Sequence, residues 1–444
     1  MKRILLLGAG LSATSLIKYL LDHSITEGWH LDIIDSNIDT ALAKIDGHPS
    51  GTAYQMDALD AAARKPYIEQ ADLVISMLPA QFHVEVAQDC IALKKHLLTP
   101  SYISASMRIL DAAAKAADVL LMNEIGLDPG IDHMSAMRLV DSIKQEGGKL
   151  LSFKSYCGGL ISPDADNNPW HYKFTWNPRN VVLAGQGPAA CYREMNELKY
   201  VTYQRLFKQL DNIHIDGYGN FEGYANRDSL SYLHTYGIED IPTIFRGTLR
   251  RPPFCKAWDV FVQLGMTEDH FVISSSAQLT PRQFLNAFLP YKEGASVEEK
   301  FRTFIEEKQD LFELFQYLGL FESKQAIGIE NASPAMLLQK ILIEKWTLEP
   351  KDKDMIVMYH DFIYELNSTK YKVESSLVLE GKDQKYTAMS DTVGLPLAIC
   401  AKLILKGQIK QRGVCLPIQK EVYEPILNEL GQLGINFTEK QTSL

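Results

Sequence analysis

The stretch Met122 to Met137, MNEIGLDPGIDHMSAM, gathers Glu124, Asp128, Asp132 and His133 around a Pro-Gly turn at the end of an apolar run. Carboxylates and an imidazole at this spacing suit proton transfer, and an aspartate beside Pro-Gly also suits turn stabilisation. Asp132 and His133 read as residues that cap and orient a following helix. A second signature stands near the N-terminus, where Gly8-Ala9-Gly10-Leu11-Ser12-Ala13 follows RILLL. Gly8 permits a tight turn, Gly10 lets backbone approach a pyrophosphate, and Ala13 keeps the next helix close to its strand. The free N–H groups at that helix start favour an anion. The next apolar run, HLDIID, ends in Asp35 with Ser36 beside it. A carboxylate there accepts both ribose hydroxyls and repels a 2′-phosphate, so the reading is NAD, with NADP possible.

These groups need elements to hold them. RILLLGAG, HLDIIDS, ADLVISMLP, HLLTPSYIS and DVLLMNEIG are apolar runs of strand length, and the stretches between them carry helical spacing, as in Leu16, Ile17, Leu20 and Leu21. Continuous apolar strands separated by helices imply a parallel sheet covered on both faces. Ligands of such sheets sit beyond the carboxyl edge. That edge would present Met77-Leu78-Pro79, then Ser101-Tyr102, then Glu124 and Asp128.

After about residue 150 the pattern changes to short strands and turns rich in Gly, Pro and Asn, dense in aromatics. Thr280 to Glu349 reads as amphipathic helices, and MIVMYHDFIYEL and KVESSLVLEG read as antiparallel strands. DTVGLPLAICAKLILKG reads as an apolar helix, followed by GVCLP and a final helix. The expected fold class is α/β with three parts. A doubly wound Rossmann domain spans 1–130 and is completed by C-terminal helices at about 391–444. A second α/β domain with a mixed sheet spans 131–279 and 350–390, and a helical insertion spans 280–349.

The chain has 444 residues, 46% of them hydrophobic, which is ample for sizeable cores. A formal charge of −10 argues against nucleic-acid or anionic-membrane partners. Six scattered cysteines without a CxxC pair fit a reducing, cytoplasmic setting better than a disulfide framework. The opening MKRILLLGAGLSA reads as strand and helix rather than a secretory segment. No apolar stretch reads as long enough to span a bilayer, and no His/Asp/Glu spacing suggests a metal.

The separated stretches TPSYIS, NEIGLDPGIDHM, SYCGGL, NNPWHYKFTWNPRNVVLAG, EGYANRDSL, FRGTLR and DTVGLPLAI resemble, in that order, the glutamate-forming saccharopine dehydrogenases, or saccharopine reductases. The resemblance implies a variant Rossmann domain, an α/β domain for substrate binding and dimerisation, and a small helical domain. It implies a homodimer that joins L-glutamate to 2-aminoadipate 6-semialdehyde and reduces the imine to saccharopine, or runs the reverse. The implied saccharopine contacts are Ser101, Tyr102, Asp128, Asn226, Arg227, Asp228 and Thr248, with Arg246 beside them. Asp128, Cys157 and Tyr102 are the implied proton-transfer candidates. Phe174, Thr175, Trp176 and Asn177 match a stretch that touches the cofactor, with asparagine standing where serine is expected. Asp35 also departs from the pattern of fungal members that use NADP.

His83 and His171 read as structural. Two other readings stay open. A carboxynorspermidine or carboxyspermidine dehydrogenase would want acids where this chain has Arg227 and Arg246. A catalytically silent NAD-binding sensor would have no need of the substrate-contact strings.

Overall fold

The computed structural model describes all residues, Met1–Leu444, as two compact units. The first comprises Met1–Leu150, Tyr364–Tyr371 and Leu377–Leu444; the second comprises Leu151–Ile363 and Lys372–Ser376.

The first unit is built on a seven-stranded parallel sheet. Its strands are β1 (Lys2–Leu7), β2 (Trp29–Asp35), β3 (Gly51–Gln55), β4 (Leu73–Ser76), β5 (His96–Leu98), β6 (Leu120–Met122) and a short late strand, Gly413–Cys415. Across the sheet the order is late strand, β6, β5, β4, β1, β2, β3. β1 therefore lies between β2 and β4, with Ile4 facing Leu31 on one side and Leu73 on the other. The strand order reverses there, which opens the crevice in which doubly wound sheets bind ligands. Ile4 to Leu7 are all buried, because a central parallel strand is covered on both faces.

Helix Ile131–Gln145 packs on helix Lys420–Gln432 within this unit. The boundary consequently falls at Leu150 rather than near 130.

The C-terminal helices belong to the first unit. Helix Ala388–Leu405 lies against helix Thr14–Glu27, the one that follows the glycine turn. Gly394 makes the approach possible, since a Cβ there would stand 2.8 Å from the Leu16 nitrogen and 3.1 Å from the Ser12 carbonyl oxygen. Ser15 N–H donates to Ser390 Oγ at 2.9 Å, and the Ser15 hydroxyl donates to Asp391. Helix Ala388–Leu405 is long and apolar enough to cross a membrane, contrary to the sequence reading, but 72% of it is buried inside this core.

The second unit centres on β7 (Lys149–Ile161), one long strand where short ones were read. The remaining strands are β8 (Ala190–Glu194), β9 (Glu197–Val201), β10 (Leu210–Ile215), β11 (Gly219–Ala225), β12 (Thr243–Arg250), β13 (Asp354–Leu366) and β14 (Thr369–Glu380). The sheet runs β10, β11, β12, β7, β13, β14, with Thr438–Ser443 at its edge and β8 pairing β12 and β9. It is mixed: β12 is parallel to β7 and antiparallel to β11. Asn367 and Ser368, both at positive φ, form the tight turn between β13 and β14.

The helical stretch expected as a separate insertion belongs to this unit's core. Trp170 and Trp346 meet at 5.2 Å between ring centroids, Phe315 packs against Trp170, and the Trp170 indole donates to the Leu314 carbonyl at 2.9 Å. Rings this large and fully buried dominate the local packing energy.

The Gly394 contact yields a test. Gly394→Val should cost about 1–3 kcal/mol through overpacking against the helix that follows the glycine turn. Thermal unfolding should show a lowered Tm with weakened dinucleotide binding. An unchanged melt would mean that the two helices separate freely.

Candidate active site

At the end of β1 the chain turns at Gly8, whose φ of +93° suits glycine and whose Cβ, if present, would lie 3.2 Å from the Met77 carbonyl oxygen. At Gly10 a Cβ would meet no other atom within 4 Å, so the backbone there has open space beside it. Leu11–Ala13 form a 3-10 turn leading into helix Thr14–Glu27; neither N-cap residue gives a side-chain hydrogen bond, and Ser390 takes only the Ser15 N–H. Open space over a glycine and uncapped N–H groups fit a pyrophosphate.

Asp35 ends β2 beside this turn. One carboxylate oxygen accepts from Ala9 N–H at 2.7 Å and the other from Asn37 N–H at 2.8 Å. Lys44, which the sequence reading passed over, reaches the same turn. Its ammonium donates to the Ala9 carbonyl at 2.6 Å and to the Gly10 carbonyl. Burial lowers its pKa to about 8, against an opposing pull from Asp35. Met77 extends the β4 ladder by donating to the Leu7 carbonyl at 2.8 Å, and Leu78 packs on the sheet's core, which leaves Pro79 to open the next helical turn.

The next two strand ends carry the polar cluster. The Tyr102 hydroxyl donates to Asp128 Oδ1 at 2.7 Å, joining the loop after β5 to the Pro-Gly turn. Glu124 lies buried beneath them. Its Oε1 accepts from Ile103 N–H at 2.9 Å, and its Oε2 is 2.8 Å from His133 Nε2. Asp132 folds back on the turn, accepting from Gly130 N–H at 2.6 Å. His133 does not cap the helix; its ring is committed to Glu124.

His83, read as merely structural, links β4 to Ser101. Its Nδ1 is 2.9 Å from Ser76 Oγ, and its Nε2 is 2.8 Å from Ser101 Oγ. Burial lowers its pKa to about 4, so the ring is neutral at physiological pH.

In the second unit the arginines of FRGTLR sit on β12. Arg246, Thr248 and Arg250 share one face because side chains alternate along a strand. The Arg246 guanidinium is buried 4.2 Å over the Tyr232 ring, and its backbone N–H donates to Ser229 Oγ at 2.9 Å. Thr248 is in register with Cys157 on β7 and with Tyr224 on β11, and Cys157 is buried. Arg250 is buried among the rings of Tyr172 and Phe254, each 5.3 Å from it; Nη1 donates to the Leu249 carbonyl, and Nε has no partner.

Asn226 N–H donates to the Arg246 carbonyl at 2.8 Å, which seats Arg227 just beyond, at φ +50°. Asp228 is occupied differently. Its Oδ1 accepts from Leu230 and Ser231 N–H and from the Cys191 thiol, which ties it into the turn ahead of helix Ser231–Thr235. Burial, and then Asp228, push the Cys191 thiol up to about 11. Phe174 packs on Tyr172 and Trp346, while Thr175 is buried and Trp176 partly exposed. The Asn177 side chain accepts from Arg179 N–H at 2.9 Å and caps helix Pro178–Val182. An N-cap accepts asparagine and serine alike, so the capping role is compatible with asparagine where serine was expected.

A doubly wound sheet with a glycine turn after its first strand, and an acid–tyrosine pair at its carboxyl edge, defines the first unit as the nucleotide domain of a dinucleotide-dependent oxidoreductase. Residues 4–122 match the family model for the saccharopine dehydrogenase NADP binding domain, and residues 126–435 match that for the saccharopine dehydrogenase C-terminal domain. The chain belongs to the saccharopine dehydrogenase family.

It is 32% identical, over 99% of both chains, to the saccharopine dehydrogenase [NADP(+), L-glutamate-forming] of Pyricularia oryzae. It is 35% identical over 93% of its length to the alpha-aminoadipic semialdehyde synthase of Arabidopsis thaliana, and the match spans only 40% of that larger protein. The solved apo saccharopine dehydrogenase (L-Glu forming) of Saccharomyces cerevisiae superposes over the full length of both chains with a TM-score of 0.89 at 32% identity.

Two outcomes follow from the buried groups. His133→Leu should destabilise the protein by about 3 kcal/mol, because it strips the Glu124 carboxylate of a buried partner; denaturant unfolding measures the loss. The lowered pKa of His83 means that the unfolded chain takes up a proton first on acidification. Its contribution is intact above about 6.5, the unfolded value, and is lost as pH falls toward 4. His83→Gln should flatten that acid limb of the stability profile.

Proposed function

We propose that the protein interconverts saccharopine with L-glutamate and 2-aminoadipate 6-semialdehyde, an oxidoreduction at a secondary amine in lysine metabolism. The observation that carries this reading is the Tyr102–Asp128 pair at the mouth of a dinucleotide-binding sheet, in a chain that matches L-glutamate-forming enzymes from end to end. When bound, the nicotinamide accepts hydride from the amine-bearing carbon or returns it.

The chain's own groups handle charge and protons. Water adds to the imine and the carbinolamine collapses to aldehyde and amine, so one proton must leave the attacking water and another must reach the departing nitrogen. A carboxylate already receiving a phenol hydrogen bond can take the first, and the pair can return it. Arg227, Arg246 and Thr248 are the proposed holders of substrate carboxylates, where planar guanidinium forks make charge-assisted bonds. Cys157, in register with Thr248, is proposed to border the same substrate.

NADP is the proposed electron carrier, ahead of the NAD read from Asp35, because the relatives are named for NADP(+) and the domain model is an NADP-binding one. Two charged residues at the glycine turn act against each other in this choice. Asp35 repels a 2′-phosphate, and Lys44 supplies a cation that the sequence reading did not place there. A cytoplasmic homodimer is proposed from the family resemblance and the six scattered cysteines outside any disulfide, with light scattering as the check on the dimer.

Steady-state turnover tests the reading. Saccharopine should reduce the dinucleotide, with activity only on diaminopropane plus aspartate semialdehyde selecting the carboxynorspermidine alternative instead. Arg227→Ala should raise the KM for saccharopine about tenfold or more, in line with about 1.5–3 kcal/mol for a charge-assisted bond. Asp35→Ser should raise the NADP-to-NAD ratio of kcat/KM about tenfold and Lys44→Met should lower it, a tenfold change being about 1.4 kcal/mol. Ratios unmoved by both changes would place these residues away from the ribose.

A further inference from the structure

We propose that His83 is a positioning residue that makes Ser101 an outward hydrogen-bond donor for a carboxylate of the substrate. The argument begins at Ser76, the last residue of β4, whose side chain is fully buried and has His83 Nδ1 as its hydrogen-bond partner. A buried hydroxyl that fails to donate costs about 1–3 kcal/mol. Ser76 Oγ–H therefore donates to Nδ1. A neutral imidazole carries one hydrogen, so that hydrogen sits on Nε2. Nε2–H in turn donates to Ser101 Oγ at 2.8 Å.

The direction of this relay is fixed from inside outward. Ser101 Oγ accepts from His83, so its own hydrogen remains to be given to something else. Ser101 stands just past β5, next to Tyr102, at the carboxyl edge where doubly wound sheets present their ligands. Its side chain is only partly buried, unlike Ser76 and His83 behind it. A hydroxyl held as a donor selects an oxygen with negative charge. The opposite tautomer would draw the Ser101 hydrogen inward, turn lone pairs toward the ligand, and repel the same oxygen. Desolvation, which keeps His83 neutral, protects this arrangement at physiological pH. The assignment of a carboxylate rests on the reaction proposed above; the tautomer does not.

Two measurements separate the two ideas. Nitrogen-15 spectra of the intact protein at neutral pH should show His83 as the Nε2–H tautomer, and an Nδ1–H signature would overturn the relay whatever the substrate. In turnover assays His83→Leu and Ser101→Ala should each raise the KM for saccharopine about tenfold, as the loss of one charge-assisted bond allows. kcat and the KM for the dinucleotide should stay within about twofold. The double variant should be no worse than Ser101→Ala alone, since both remove the same donation. His83→Gln, whose amide can still donate toward Ser101, should recover most of the affinity.

A merely structural histidine would give a different pattern. Losses in kcat and in both KM values together, or full additivity with Ser101→Ala, would reject the positioning role. Should the wild-type protein leave saccharopine untouched, the reaction assignment falls and the tautomer still decides the relay.

Discussion

The mouth of the nucleotide sheet depends on how the Glu124 carboxylate is satisfied. One oxygen takes the Ile103 amide from the loop after β5; the other faces the His133 ring on the following helix. A charge at that depth is tolerable only when its lone pairs are used, because desolvation otherwise outweighs what the fold gains. Meeting the requirement joins three segments that are separate in sequence: the end of β6, the loop carrying Ser101 and Tyr102, and the start of helix Ile131–Gln145. The Tyr102–Asp128 hydrogen bond lies above this junction, with both partners on backbone that the junction fixes. The acids of the Pro-Gly stretch thus divide their labour. Glu124 and Asp132 hold the scaffold, and Asp128 accepts from Tyr102.

Much of the first unit was legible because its signal is redundant. Five apolar runs, a glycine turn and intervening helical spacing all demand one parallel sheet, and any one of them could have been misread without changing the answer. The second unit was less legible. Its long strand β7 reads as short pieces because Gly158 and Gly159 interrupt an apolar run, and periodicity does not report a neighbour that favours glycine. Gly158 is such a case: a Cβ there would stand 2.7 Å from the Leu249 carbonyl oxygen of the adjacent strand. The helices from 280 to 349 looked separable for a similar reason. Their attachment runs through Trp170 and Trp346, far apart in sequence.

Placement at the sheet's carboxyl edge was readable where motif and strand end coincide, as at Gly8, Asp35, Ser101 and Asp128. Lys44 and His83 were not, since both act through contacts made only in three dimensions. Lys44 sits in the last turn of an ordinary helix and is recruited by the carbonyls of a turn 34 or 35 residues away. His83 opens a helix, and nothing in its surroundings in sequence points to Ser76 on one side or Ser101 on the other. Asp228 and Asn177 were assigned ligand contacts by resemblance, whereas the Asp228 side chain is tied into the turn ahead of a short helix and that of Asn177 caps another. Local capping competes with ligand contact for the same oxygen, and a string of letters does not reveal which need prevails.

The interlock of helix Ala388–Leu405 with the helix after the glycine turn has a consequence for synthesis. Residues of the helix after the glycine turn wait for partners made more than 370 residues later, Ser15 for Ser390 in particular. Until those arrive, the apolar flank of the N-terminal helix lacks its cover and the sheet lacks the strand Gly413–Cys415 beside β6. Most strands of the second unit's sheet, β7 to β14, are therefore made while the first unit is still open. In the nascent chain the helix Thr14–Glu27 accordingly keeps an apolar flank exposed until helix Ala388–Leu405 is made, and that flank is where a holding chaperone would find its surface.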